Sequence, residues 1–294
     1  MPSPTVNPNV RWAELLPDDF KSRIAACPVV YLPMGLCEPH GHIAAFGLDT
    51  IKADYLCDEG ARRFGGIVAP TQGYHIHESG YHARWLEDVV GEENPLMTGL
   101  PPHVVLHQFL YQLRSFANAG FQGALVLSGH SGGNQNDLRQ AASAFTKSFG
   151  MAVVVHSDPE LVEGRHPGDH AGKYEISQLL YLRPDLVDMK LINRRYEKNS
   201  GGQLALGDDA IKATTAYGEQ VMEDSLTRIG EIVAELKQIP FANRPLIDLA
   251  SVEAVWREFL KDAPHWKTAQ KWPAQTEVRD SSQWKPYEAF RLPL

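Results

Sequence analysis

The sequence predicts an α/β protein in three layers, with helices on both faces of a mostly parallel central sheet and a C-terminal extension. Three observations carry this prediction. Compact apolar runs of strand length alternate with longer segments of helical period. The runs are continuously apolar, as in strands buried on both faces. Glycines, prolines and capping residues mark the breaks between them. The 294 residues suffice for a full core, and we divide them into a domain over 1–240 and an extension over 241–294.

The elements follow in order. "PVVYLPMG" at 28–35 is an apolar run closed by glycine, a buried strand. "DTIKADYLCDEGARRFGG" at 49–66 begins at Asp49, a residue type suited to an N-cap, and ends at glycines suited to a helix C-terminus. "IVAP" at 67–70 is a short strand, and residues 71–100 read as one long ordered loop, polar and rich in histidine. "PPHVVLHQFLYQLRSFANAG" at 101–120 opens on prolines, closes on glycine, and sets Val105, Phe109, Leu113 and Phe116 on one helical face. The strand at 124–129 leads into a helix over roughly 135–148, with Asn134 as its N-cap, and 151–157 is the next strand. Helices are expected over 172–182 and 209–237. The extension holds four of the six tryptophans (Trp256, Trp266, Trp272, Trp284), many prolines and one short helix near 251–261. It reads as packed on the domain or on a neighbouring subunit.

Charge and composition exclude several classes of function. A formal charge of −8 offers no basic face to a phosphate backbone, so no nucleic-acid partner is expected. No run approaches the ~20 apolar residues of a membrane span, and the first residues lack the basic-then-apolar order of a secretion signal. Cys27, Cys37 and Cys57 make an odd set without CxxC spacing, which suits a reduced, cytoplasmic protein.

Ligand-type residues collect where the strands end. Glu38 and His40 follow the first strand and, two apart in extended chain, project together. Asp49 opens the next helix, His130 ends a later strand, and "GDHAGKYEIS" offers Asp169, His170 and Glu175. Open parallel sheets gather sites at the carboxyl ends of their strands, and carboxylates with imidazoles suit zinc, manganese or iron(II). Each residue also has an ordinary role available. Asp49 and Asn134 are good helix caps, His40 and His42 could be hydrogen-bonded loop histidines, Glu175 a solvated helix residue, and His75, His77 and His82 loop surface. "GHSGG" at 129–133 has the further reading G-x-S-x-G, the turn that presents a nucleophilic serine, Ser131.

Taken together, "LPMGLCEPHGHIAAFGLDT", "LVLSGHSGGN" and "GDHAGKYEIS" resemble, in order and interval, three motifs of the creatininase (creatinine amidohydrolase) family, over roughly residues 28–237. The resemblance implies that family's α/β/α fold, a hexameric or other homo-oligomeric assembly, and a metal-dependent hydrolase. Its substrate would be a small cyclic amide, its C–N bond cut by metal-activated hydroxide. Glu38, His40, Asp49 and His130 would be ligands of two divalent ions, zinc first and manganese or iron as alternatives, with Asp49 bridging. The carboxylate that the family carries two residues after the G-H histidine is absent at Gly132, so its role falls to Glu175. Asp169 and His170 match the pair that moves protons in that family. From the loop, Tyr74, His75, His77, His82 and also Tyr81 and Trp85 are candidates for a cover over the substrate; Ser131 and Asn134 would line it. Pro39, Ser131, Lys173 and Ile176 depart from the family motifs.

Two rival readings remain. A serine esterase would use Ser131 with a later acid and a late histidine, for which Asp208 and His265 could serve. It lacks an HGGG-type oxyanion element in the first fifty residues and leaves Glu38, His40, Asp49 and Glu175 without a task. A metal-binding family member without activity is the other.

Overall fold

The computed structural model describes residues 8–77, 96–240 and 244–269. Its centre is a four-stranded parallel sheet: β1 (Val29–Met34), β2 (Ile67–Val68), β5 (Gly123–Ser128) and β6 (Ala152–Ser157), in the order β2-β1-β5-β6. The register of β1 on β5 runs from Val29 beside Gly123 to Met34 beside Ser128, so the two strands end level. β5 and β6 likewise end together, Ser128 beside Ser157. Every residue of β1 and β5 is buried, which explains why their sequences are continuously apolar.

Alternate residues feed two cores. Val30, Leu32, Met34, Ala124 and Val126 face α3 (Pro102–Ala119) and α4 (Asn134–Phe149), where Phe109, Leu138 and Phe145 are fully buried. Val29, Tyr31, Leu125 and Leu127 face α2 (Leu48–Phe64) and α7 (Thr215–Lys237), which supply Leu56, Met222, Leu226 and Ile229. The expected three-layer α/β/α arrangement is therefore present. A short helix, α5 (Asp158–Leu161), follows β6 directly, and α6 (Lys173–Leu182) packs on α7 and α2.

Several boundaries differ from the sequence reading. A helix at Pro17–Ala26, α1, precedes β1 and was not anticipated; Phe20 there joins Trp12 and Phe121 in an aromatic cluster. The second helix begins at Leu48 after Gly47, so Asp49 lies within its first turn and is not the cap. Asn134 is likewise inside α4, whose N-cap is Gly133 with φ of +95°, a conformation that favours glycine over asparagine. The helix expected from 209 starts at Thr215, because the Thr214 side chain accepts the Tyr217 amide and caps it there. Within 71–100, a two-residue parallel pairing of β3 (His75–Ile76) with β4 (Gly99–Leu100) replaces a pure loop.

Beyond residue 244 the chain adds α8 (Leu249–Leu260) against α3 and α4. Trp266 is fully buried and Trp256 nearly so, both in the first core. Asp137 fixes this segment by accepting from Lys267 N at 2.7 Å, Thr268 N at 2.8 Å and Thr268 Oγ1 at 2.6 Å. Trp272 and Trp284 lie outside the described residues. Among the described residues, no helix is long and apolar enough to cross a membrane.

Candidate metal centre

The level ends of β1, β5 and β6 make a rim, and glycine lets the next helix dock against it. A β-carbon at Gly129 would stand 2.0 Å from the carbonyl oxygen of Asp49, and one at Gly35 would stand 2.6 Å from the Thr50 nitrogen. Any larger residue would push the first turn of α2 away. With glycine in place, Asp49 is fully buried among Glu38, His40 and His130. The amino end of the helix also favours its charge.

Glu38 is the meeting point of one group. His130 Nδ1 is 2.8 Å from Glu38 Oε1, and His77 Nε2 is 2.8 Å from Glu38 Oε2. Asp49 Oδ2 lies 3.4 Å from the same His130 nitrogen. His40, Asp49 and Glu175 form a second group. Nδ1–H of His40 donates to the Glu38 carbonyl at 3.0 Å, which leaves Nε2 facing Asp49 Oδ1 at 3.5 Å and Glu175 Oε2 at 3.4 Å. A backbone bond from one ring nitrogen fixes the other as the ligand, the usual arrangement around metal-binding histidines. Glu38, His77 and His130, and separately His40, Asp49 and Glu175, each bring donor atoms within 4.8 Å of one another.

The donor set fits a cation better than it fits protein hydrogen bonding. His40 Nε2 and both Asp49 oxygens are buried without a hydrogen bond, a cost that a bound ion would remove. Glu38, Asp49 and Glu175 are carboxylates less than one-tenth exposed. Burial alone would raise the Glu38 carboxyl, yet His130 and His77 hold it well below the usual carboxylate range. Burial opposes charge on His130 too, but Glu38 and Asp49 lift it to about 10. His40, against its burial, is held well above the ordinary histidine value by Asp49 and Glu175.

Glu175 is fixed from behind. It sits in the first turn of α6, and the amide of Ala171 donates to its Oε2 at 2.8 Å. Ala171 achieves this in a left-handed conformation, φ 50°, rare for a residue with a side chain and characteristic of functional turns. The Lys52 ammonium, also buried, lies 2.5 Å from Glu175 Oε1, 3.2 Å from Asp158 and 3.5 Å from Asp49. Burial disfavours that charge, but Asp158, Glu175 and Asp49 keep it well above the usual lysine value.

Several sequence expectations take a different form here. Asp169 does not hold His170: its oxygens accept from the amides of Gly172 (3.0 Å), Tyr174 (2.7 Å) and Glu175 (3.3 Å), capping α6. His170 Nε2–H instead donates to the Pro39 carbonyl at 3.1 Å, and the ring stacks on His40 with centroids 5.0 Å apart. His75 is fully buried and lies beneath the site rather than over it. Ser128 Oγ gives its proton to the His130 carbonyl and so accepts from His75 Nε2, while Asn134 Nδ2 donates to that same carbonyl at 3.0 Å. His75 and Asn134 thus support the turn that carries His130. Burial, then His130 and His77, push His75 down to about 3, so it is neutral. Tyr74 is 57% exposed, His42 bonds Ser200, and Tyr81, His82 and Trp85 lie outside the described residues.

Sequence reasoning gave His77 to a substrate cover, whereas it stands on Glu38. Its spacing of two from His75, across Ile76, was the available signal for a shared side. It overlooked Lys52, three residues after Asp49 on one helical face, and Asp158, which directly follows β6. The rim opens on a cleft of about 360 Å³, lined by Glu38, His130, Ser131, Asp169, His170 and Glu175 among others. No serine-type relay forms there. Asp208 is 96% exposed at its side chain and paired with Arg195, and no base bonds Ser131 among the described residues.

Comparison with known proteins identifies the family and supports the fold. The profile of the creatininase family (creatinine amidohydrolase) matches residues 13–233. A creatinine amidohydrolase from Pseudomonas putida is 25% identical over 198 residues, 60% of this chain and 73% of that protein. A 3-dehydro-scyllo-inosose hydrolase from Thermotoga maritima is 23% identical over 181 residues, 57% of this chain and 54% of that protein. Among solved structures, a creatinine amidohydrolase (creatininase) superposes with a TM-score of 0.64 at 21% identity, covering 79% of this chain and 99% of its own. A creatininase described as Mn (TM-score 0.63, 22% identity, 78% and 99% covered) and a mutant creatininase of Zn-Zn type (0.63, 22%, 78% and 99%) share the fold. The matched profile spans most of the chain and all three motifs, and the chain belongs to the creatininase family.

Proposed function

We propose that this protein is a metal-dependent hydrolase that cuts a C–N bond in a small cyclic amide. One observation carries the reading: buried ligand atoms of Asp49 and His40, without hydrogen bonds, converge with Glu38, His130 and Glu175 beside an open cleft. Divalent ions, zinc first and manganese or iron as alternatives, would be held by Glu38, His77, His130 and Asp49 and by His40, Asp49 and Glu175. Bound there, such ions lower the pKa of water and polarise a carbonyl.

The chain's own side chains do the rest. Asp49, its two oxygens turned to the two groups, fixes their spacing. Glu38 and Glu175, both buried, neutralise positive charge there. His170 stands at the cleft wall, its Nε2–H held by the Pro39 carbonyl. With that nitrogen committed, Nδ1 is the atom that would take up a proton and pass it to the departing nitrogen. Ser131 is exposed beside it and serves as a contact for substrate, not as a nucleophile. By the same reading residues 1–240 form the catalytic unit and the chain assembles into a homo-oligomer, which sedimentation would test.

The decisive experiment combines elemental analysis of the purified protein, hydrolysis of a cyclic-amide library, chelation, and a fluorophosphonate probe. We expect bound divalent metal, hydrolysis lost on chelation and restored by metal, and no labelling. Labelling at Ser131 with chelator-resistant activity would return the esterase reading. Bound metal without hydrolysis of any amide would mark an inactive family member.

A further inference from the structure

We propose that the two halves of the centre are unequal: Glu38, His77 and His130 hold one divalent ion tightly, while Lys52 supplies the positive charge in the His40–Asp49–Glu175 half, so the chain retains a single tightly bound ion. This rests on the metal-dependent reading above and assigns its stoichiometry. Lys52 is 1% exposed, and its ammonium has carboxylates at 2.5, 3.2 and 3.5 Å, from Glu175, Asp158 and Asp49. It therefore already offsets part of the negative charge that a second ion would need. Both Glu175 oxygens are engaged, Oε1 by Lys52 and Oε2 by the Ala171 amide. Gly132, beside His130, supplies no further carboxylate.

A divalent ion placed among His40, Asp49 and Glu175 would face a fixed ammonium within a few ångströms, in surroundings that screen charge poorly. The Glu38 half contains two imidazoles and a carboxylate whose donor atoms lie within 4.8 Å of one another, and among the described residues the ion pairs of Glu38 are with His77 and His130. Two imidazoles with a carboxylate make a complete three-ligand set for one such ion.

The test is calorimetric titration of Zn²⁺ into chelator-stripped protein, with metal content measured after desalting. Wild type should retain one equivalent and bind a second at least about 100-fold more weakly, as expected for repulsion by one nearby charge. Lys52→Met, similar in length but uncharged, should tighten the second equivalent by about 100-fold. Lys52→Gln serves if that variant does not fold. Two equivalents of comparable affinity in wild type would overturn the allocation while leaving metal-dependent hydrolysis intact. No retained ion in either protein would overturn both.

Discussion

Replacing Gly129 with alanine would place a methyl carbon 2.0 Å from the carbonyl oxygen of Asp49 and 3.1 Å from its α-carbon. Contacts of that kind do not occur below 3.0 Å, so the Asp49 backbone or the end of β5 must yield by at least 3.0 − 2.0 = 1.0 Å. Neither element is free to do so. Gly129 N donates to the Met34 carbonyl at 2.8 Å, and the first turn of α2 is buried against the rim. Overpacking of this sort costs about 1–3 kcal/mol, and a displacement near 1 Å in a catalytic group costs about 100-fold in rate. The Gly129→Ala variant should therefore fold with a lower Tm and bind Zn²⁺ about 10- to 100-fold more weakly. Thermal melts with and without metal, beside calorimetric titration, separate the two effects. A variant that matches wild type in both would refute the claim that the close approach of β5 and α2 sets the ligand geometry.

Three further outcomes follow from the same packing and charge arrangement. His77→Ala should lower Zn²⁺ affinity by more than about 10-fold with little change in Tm after chelation, measured by calorimetry and thermal melts. Trp266→Ala should cost about 3–5 kcal/mol in denaturant unfolding, because the ring is fully buried and its loss leaves a cavity. In metal-free protein, His130 is raised from 6.5 to about 10, so its contribution to stability is full below pH 6.5 and fades as pH climbs toward 10. The Tm of metal-free protein should fall across that window, while Zn²⁺ affinity should rise with pH because metal displaces the proton.

Much of the fold was legible in the sequence. Strands buried on both faces wrote themselves as unbroken apolar runs, and the carboxyl-end rule pointed to Glu38, His40 and His130, while the ligand roles of Asp49 and Glu175 rested on the resemblance to the family motifs. What escaped had a physical reason in each case. Asp169 reads as a partner for its neighbour His170, but three amides at the start of α6 satisfy it first. Asn134 reads as a cap, but the turn needs a left-handed residue in that place, and Gly133 takes it. His75 and His77 read as a polar loop because their partners, Gly99 and Ser128 for the first and Glu38 for the second, are distant in sequence. A lone lysine in a helix carries no mark of burial. Lys52 is interpretable only once Asp158 and Glu175 are seen to converge on it.

That convergence has an energetic consequence. Glu38, Asp49, Asp158, Glu175 and Lys52 are all buried, and each buried ion costs several kcal/mol that its partners offset only in part. Asp158 shows the imbalance: burial lifts it to about 6 although Lys52 pulls the other way. The two apolar cores carry that burden, and a cation bound only by the folded state would relieve it. At a free Zn²⁺ concentration of 100 times Kd, the gain is about 2.7 kcal/mol, enough to raise Tm by several degrees in a protein of this size. Melting curves across a Zn²⁺ series should therefore shift upward with the logarithm of free metal. A Tm indifferent to Zn²⁺ would mean that these ions of the chain are already balanced among themselves, and the buried cluster would be structural.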